Sequence, residues 1–125
     1  FPTRRSSDLL RAVENVDMTR LLKATMRLRP DRIVVGEVRD GAALALLKAW
    51  NTGHPGGVAT IHANSALAGL IRMEQLVSEA TQTPMQALIA EAVNLVVSIE
   101  KVAGGRRIKE VVSIAGYNGK KYLTS

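Results

Sequence analysis

Several features that would by themselves define a function are missing from this sequence. It has no cysteine, which excludes a disulfide scaffold, a thiol nucleophile and a cysteine zinc site. One Phe, one Trp and two Tyr are too few for a platform on which nucleic-acid bases stack. No apolar run approaches the roughly 18 residues that a membrane-spanning helix needs. The phosphate-binding pattern Gly-x-x-x-x-Gly-Lys-Ser/Thr is also absent from the 125 residues.

Positive charge is distributed unevenly along the chain. The formal net charge is +6, of which residues 104–125 carry +4, residues 1–9 carry +1 and residues 10–103 carry +1. A strongly basic balance favours nucleic acid or an acidic membrane as a partner. A basic nucleic-acid-binding module with residues 104–125 as its contact is therefore an alternative hypothesis. Lysines on exposed edge strands, however, also discourage aggregation.

The first nine residues, FPTRRSSDL, resemble the translation of a sequencing-library adapter. We therefore expect residues 1–9 to be foreign to the domain and leave them out of the fold prediction. A native basic arm is the alternative. Residues 10–125 form the portion from which fold and function are predicted.

Hydrophobic periodicity and turn signals predict a chain in which helices alternate with short strands. The predicted helices cover residues 18–28, 42–50, 65–80 and 84–92. Ser65 or Asn64 is the predicted cap of the third helix, and a capping box at residues 83–86 opens the last. The predicted strands cover residues 33–35, 58–61, 95–102 and 108–115, with turns at residues 104–105 and 118–119. Trp50 is expected to pack in the core. This order predicts an α/β fold with parallel strands, followed by a terminal antiparallel β meander.

Two polar residues come at the ends of the first two predicted strands. Glu37 follows the strand at residues 33–35, and His62 follows the strand at residues 58–61. Ligands of open α/β sheets bind at the carboxyl ends of strands. A carboxylate after a hydrophobic strand is the Walker B pattern, which holds the magnesium shell or polarises the attacking water. A solvated loop acid and a structural or helix-capping histidine are the ordinary alternatives for each residue taken alone.

Two longer motifs carry a resemblance to a known family. Residues 27–39, RLRPDRIVVGEVR, resemble the Walker B box of the type II/type IV secretion ATPases, and residues 51–65, NTGHPGGVATIHANS, resemble their His box. The second motif favours the conjugal-transfer branch, the TrbB-like ATPases, over the motors of type II secretion and pili. The resemblance implies a RecA-like P-loop NTPase core. Residues 10–125 would be a partial C-terminal domain of it, with the Walker A motif and the Asp box upstream.

The same resemblance implies roles for individual residues. It makes Glu37 the catalytic Walker B glutamate, with a place in the Mg²⁺ shell, and His62 the residue that reads the γ-phosphate of ATP. The remaining candidates for a nucleotide, phosphate or subunit-interface contact are Arg27, Arg29, Arg39 and Thr60. Ion pairs with Asp31 or Asp40 are an equally good interpretation of the arginines.

The resemblance also implies what the protein does. It indicates ATP hydrolysis, with ATP and Mg²⁺ bound, that powers conjugative DNA transfer or type IV secretion. It further implies a homo-hexamer at the cytoplasmic face of a bacterial inner membrane, in contact with the secretion or conjugation machinery, and only indirect or weak contact with DNA. We expect the chain alone to be inactive and poorly soluble, because loss of the P-loop strand would uncover a sheet edge and apolar faces.

Overall fold

The computed structural model describes residues 18–27, 32–53 and 56–125, so residues 1–9 lie outside the described part. The helices there are α1 (Met18–Met26), α2 (Ala42–Asn51), α3 (Ala66–Val77) and α4 (Gln86–Ala92). The strands are β1 (Val34–Val35), β2 (Val58–Ala59), β3 (Leu95–Val102), β4 (Gly105–Tyr117) and β5 (Tyr122–Thr124). The predicted α/β order is confirmed. None of these helices is long and apolar enough to cross a membrane.

Strands β1 and β2 form a parallel pair, as the alternation of helices and strands predicted. Val34 lies opposite Val58, and Val35 lies opposite Ala59. Backbone hydrogen bonding continues past the strands, because the N–H of Val38 donates to the carbonyl of Thr60 at 2.9 Å. The carboxyl ends of both strands therefore lie at one edge, where Glu37 and His62 follow.

Trp50 fixes the amino end of this pair. Its indole Nε1 donates to the carbonyl oxygen of Ile33 at 3.3 Å, and the backbone N–H of Val58 donates to the same oxygen at 3.2 Å. A Cβ built on Gly57 would lie 2.1 Å from the indole nitrogen and 2.3 Å from that carbonyl oxygen, so only glycine fits. The half-buried Trp50 packs against the hydrophobic core, which confirms its predicted place.

The second sheet is the predicted antiparallel meander, with strand order β3–β4–β5. Its first turn differs from the expectation: Val102 pairs with Gly105, so the turn residues are 103–104. Gly104 has φ of +87°, a conformation that costs glycine little. Strand β4 consequently begins three residues earlier than residue 108, the predicted start.

A β-bulge interrupts the pairing of β3 with β4. Ser98 lies opposite Glu110 and Ile99 lies opposite Ile108, which leaves Lys109 without a partner across the strands. A bulge bends the strand locally and changes the direction of its side chains. Nothing in the alternating hydrophobic pattern predicts this irregularity.

Helices α2, α3 and α4 pack together, and α3 and α4 cover one face of the meander. The largest fully buried side chains are Leu46, Leu47, Leu76 and Ile89, and the meander contributes the buried residues Ile114 and Tyr122. The opposite face of the meander is apolar and open to solvent. Its exposed residues include Leu95, Val97, Ile99, Ile108 and Val111.

The capping box predicted at residues 83–86 is wrong. Helix α4 begins at Gln86, and its N-cap residue Met85 makes no side-chain capping bond. Gln86 does not bond back to the helix start, because its Nε2 donates instead to Oε1 of Glu74 on α3 at 3.0 Å. This hydrogen bond between α3 and α4 takes the place of the one that the capping box would have formed at the start of α4. Helix α3 also ends at Val77, before the predicted residue 80.

Candidate functional site

Glu37 and His62 meet at the carboxyl ends of β1 and β2. Nε2 of His62 lies 3.0 Å from Oε2 of Glu37. The parallel register brings them together, since the last backbone hydrogen bond of the pair joins Val38 to Thr60. Two residues that the sequence places at separate strand ends therefore form one polar pair.

This pair is open to solvent. The His62 side chain is 90% exposed and the Glu37 side chain is 34% exposed. Exposed ion pairs contribute at most about 1 kcal/mol to stability. The imidazole and the carboxylate are therefore available to a ligand at the sheet edge. Loss of their mutual contact would change the free energy of unfolding only slightly.

Thr60 links the two strand ends from beneath the pair. Its hydroxyl donates to the carbonyl oxygen of Gly36, the residue before Glu37. The hydroxyl is thus hydrogen-bonded to the backbone, and Thr60 lies two residues before His62 in the chain. Its predicted phosphate contact stays a prediction.

Two of the three arginine candidates, Arg27 and Arg39, lie among the described residues. Arg27, at the end of α1, and Arg39, two residues after Glu37, are both exposed. Within the described part neither forms an ion pair with Asp40, whose Oδ1 instead accepts a backbone N–H at the start of α2 at 2.9 Å. Arg29 and Asp31 lie outside the described residues. The predicted roles of the arginines stay predictions.

Helix α3 begins directly after the segment that carries His62. Of the two predicted caps, Ser65 and Asn64, the structure has Ser65, because its Oγ accepts the N–H of Ala68 at 3.1 Å. The N–H of Ala66 donates to Oε1 of Glu110 at 2.6 Å. Sequence reasoning missed Glu110, which lies on β4 and far away along the chain. The one available signal was the lack of an acidic residue in the first turn of α3.

A second polar cluster joins the meander to the helices. The Glu74 carboxylate accepts the Tyr122 hydroxyl at 2.8 Å and the Gln86 amide at 3.0 Å. Burial, together with the hydrogen bond to Glu74, raises the pKa of Tyr122 well above its ordinary value. All three side chains lie away from the strand ends, so the cluster belongs to the scaffold.

The basic residues of the terminal meander are partly engaged within the protein. Nε of Arg107 lies 2.6 Å from Oε2 of Glu100, and Nζ of Lys109 donates to the carbonyl of Asn64 at 3.1 Å. The other cations of residues 104–125 are exposed, namely Arg106, Lys120 and Lys121. This arrangement does not favour a nucleic-acid interface over a solvated basic edge.

The described residues contain no site at which protein side chains alone would hold a metal ion. No group of three or more His, Asp or Glu side chains there is arranged to hold a metal ion. Magnesium bound together with a nucleotide needs only one or two carboxylates, since phosphates and waters provide its other ligands. The partly exposed Glu37 fits that smaller requirement.

Comparison with known proteins identifies a family. A family model described as "Type II/IV secretion system protein" matches residues 9–108. The conjugal transfer protein TrbB of Rhizobium radiobacter is 65% identical over 115 residues, which are 92% of this chain and 36% of that protein. The type IV secretion system protein VirB11 of Bartonella quintana is 34% identical over 97 residues, 73% of this chain and 27% of that protein.

A solved structure resembles the fold. The crystal structure of the VirB11 ATPase from the Brucella suis type IV secretion system, in complex with sulphate, superposes with a TM-score of 0.74 at 28% identity. The match covers 78% of this chain and 32% of that one. The chain thus spans about a third of the length of the curated relatives it matches.

Proposed function

Because the chain belongs to the type II/IV secretion system protein family, we propose that it is part of an ATPase that powers conjugative DNA transfer or type IV secretion. This assignment confirms the family resemblance drawn from residues 27–39 and 51–65. We call the longer protein that would contain the chain the complete protein. Its P-loop and Asp box would lie outside residues 10–125, which form the C-terminal half of a RecA-like core. Residues 1–9 stay predicted to be foreign.

The contact between Glu37 and His62 carries the proposal. Its 3.0 Å distance joins a Walker B carboxylate to the His-box imidazole at adjacent strand ends. The proposed role of Glu37 is to accept a hydrogen bond from the attacking water and orient it toward the γ-phosphate. His62 is exposed and so able to donate to a phosphate oxygen.

The pair suggests how phosphate state could be read. In the structure, Nε2 of His62 contacts Oε2 of Glu37. A γ-phosphate within reach would compete for the same imidazole, which would then leave the carboxylate free to bind water. Hydrolysis and phosphate loss would restore the pair. Contacts that form with the γ-phosphate and break after hydrolysis are the usual basis of nucleotide switches.

Magnesium would be held jointly by nucleotide and protein. Glu37 is the carboxylate of this chain that would enter its shell, while the remaining ligands come from phosphates, water and the complete protein. Bound in this way, Mg²⁺ neutralises charge that develops on the phosphates.

The strand pattern supports an additional strand in the complete protein. Among the described residues, β2 is hydrogen-bonded to β1 alone and β3 to β4 alone. Each therefore offers an unpaired edge to which a P-loop strand could add. By the same proposal the 125-residue chain alone hydrolyses no ATP, because it has no phosphate-binding loop.

VirB11 and TrbB are named as type IV secretion and conjugal transfer proteins, which supports contact with such machinery. The proposed assembly rests on the family resemblance of residues 27–39 and 51–65. It is a homo-hexamer of the complete protein at the cytoplasmic face of the inner membrane. DNA contact would be indirect or weak. A type II secretion or pilus motor is the alternative within the same family.

The substitution Glu37→Gln in the complete protein tests the proposal. Loss of the water-orienting carboxylate should lower kcat for ATP about 100-fold, while the Kd for ATP changes less than about twofold. Phosphate release and calorimetric titration measure the two quantities. Glu79→Gln is the matched control, since Glu79 is exposed in the turn after α3 and lies away from the pair. Equal losses of binding and turnover in Glu37→Gln would contradict the assigned role.

A further inference from the structure

Glu110 completes the start of helix α3. The N–H groups of a first helical turn lack partners within the helix and carry partial positive charge. Ser65 satisfies the N–H of Ala68, and α3 has no acidic residue of its own in that turn. The carboxylate of Glu110, half-buried on β4, accepts the N–H of Ala66 at 2.6 Å. A bond this short to a charged acceptor is among the stronger hydrogen bonds in proteins.

The β-bulge lets two consecutive residues of β4 hold the same segment. In a regular strand Lys109 and Glu110 would face opposite sides of the sheet. Lys109 is the residue left unpaired by the register shift, and its Nζ donates to the carbonyl of Asn64 at 3.1 Å. Both side chains therefore contact the stretch immediately after His62, at Asn64 and Ala66.

We define the His62 loop as residues 60–65, between β2 and α3. Its amino end is fixed by the 2.9 Å hydrogen bond from Val38 to Thr60 and by the Thr60 hydroxyl on the carbonyl of Gly36. Its carboxyl end is fixed by Lys109 and Glu110. His62 lies between these two anchors, and the 90% exposed side chain has little packing of its own to orient it.

We propose that Glu110, assisted by Lys109, is a positioning residue that holds the His62 loop so that the imidazole stays within reach of Glu37 and of a bound nucleotide. The consequence for turnover rests on the proposed function, whereas the placement of the loop does not. The proposal gives the antiparallel meander a direct mechanical link to the strand-end pair, since a shift of β4 relative to α3 would move His62.

The first test compares variants of the complete protein in steady-state ATP hydrolysis. Glu110→Ala should lower kcat about tenfold and change KM for ATP less than about twofold, because the loop holds a catalytic group and not the bulk of the nucleotide. Glu110→Gln should keep most of the activity, since its amide oxygen can accept the same N–H. Glu100→Ala is the matched control: its carboxylate binds Arg107, toward the tip of the same hairpin, and should leave kcat unchanged.

The decisive measurement is a double-mutant cycle with His62→Ala. If Glu110 acts through His62, Glu110→Ala will cause no further loss of kcat once the imidazole is gone. Losses that multiply would show that Glu110 supports the fold in general, which would overturn the proposal. If the alanine variant does not fold, Glu110→Asp, which keeps the charge and shortens the reach, replaces it in every measurement.

Hydrogen–deuterium exchange separates this proposal from the proposed function. If the complete protein hydrolyses no ATP, the proposed function is refuted. The placement of the loop is then decided by the rate of hydrogen–deuterium exchange at residues 62–68. Exchange there at least tenfold faster in Glu110→Ala than in Glu100→Ala supports the placement. Equal exchange in the two variants overturns it.

Discussion

The strand ends and the packed half of the molecule are held together by different interactions. We call residues 32–40 and 56–65 the strand-end region, and helices α2 to α4 with strands β3 to β5 the helix–meander region. The first has backbone pairing and an exposed pair of side chains at its carboxyl edge, and it packs on the core through Ile33, Val35 and Val38. The second is joined by fully buried apolar side chains, among them Leu46, Leu76 and Ile89.

The difference separates the residues that stabilise the fold from those that face a ligand. Burial of a large aliphatic side chain contributes about 1.5–3 kcal/mol, whereas an exposed ion pair contributes less than about 1 kcal/mol. The contact between Glu37 and His62 can thus change during the proposed reaction cycle at small cost to the fold. Three substitutions test this contrast through stability, in decreasing order of expected effect.

Ile89→Ala should produce the largest destabilisation. The side chain is fully buried between the helices, with 0% exposure, and such truncations lower the free energy of unfolding by about 2–5 kcal/mol. Urea denaturation of the complete protein measures the change. Ile71→Ala is the control, because this residue of α3 is 46% exposed and should change stability by less than about 0.5 kcal/mol. Similar losses at both positions would refute the assigned core.

Tyr122→Phe should have an intermediate effect, about 1 kcal/mol, because it removes the hydrogen bond to Glu74. The raised pKa of Tyr122 also predicts a pH dependence. Above about pH 10 the unfolded chain ionises this hydroxyl while the folded chain keeps it protonated. Stability is therefore fully present below pH 10 and falls as the pH rises further.

Urea denaturation at several alkaline pH values measures this dependence. The loss of stability above about pH 10 should be shallower in Tyr122→Phe than in the unmodified protein. Tyr117→Phe is the comparison, since that ring packs 5.1 Å from Tyr122 and is the last of the causes that raise the pKa of Tyr122. It should change the pH profile less than Tyr122→Phe does. An identical pH profile for Tyr122→Phe and the unmodified protein would contradict the raised pKa of the Tyr122 hydroxyl in the folded protein.

His62→Ala should have the smallest effect on stability, below about 0.5 kcal/mol, because its side chain is 90% exposed. Under the proposed function, the same variant should strongly reduce conjugative transfer, since loss of the imidazole would uncouple phosphate state from motion. Transfer frequency between cells and urea denaturation measure the two effects, with exposed Gln82→Ala as control. Unchanged transfer would rule out the proposed role of His62.

Local patterns in the sequence were sufficient to predict the strand-end region. Short β-branched runs before Glu37 and His62 indicate parallel strands, and parallel strands end at the same edge of a sheet. The cap of α3 was predictable to within one residue, as Asn64 or Ser65, because capping depends on the residue itself and the next few. Each of these inferences needs only a few neighbouring residues.

The contacts missed from the sequence join residues far apart in the chain. Glu110 bonds to Ala66 across 44 positions, and Tyr122 bonds to Glu74 across 48. Such pairs produce no periodic pattern in the sequence around either residue. No residue type near Lys109 marks the bulge. The failed capping box shows the same limit, because Gln86 found a partner on another helix.

Trp50 gives the strand-end region an optical reporter. It is the only tryptophan in the sequence, and its indole N–H is bonded to the carbonyl of Ile33, which also pairs with Val58 of β2. Separation of the two strands would break that bond and change the solvent around the ring. Its ultraviolet emission therefore follows the parallel pair directly, without an attached dye, in a chain whose remaining aromatic residues are two Tyr and one Phe.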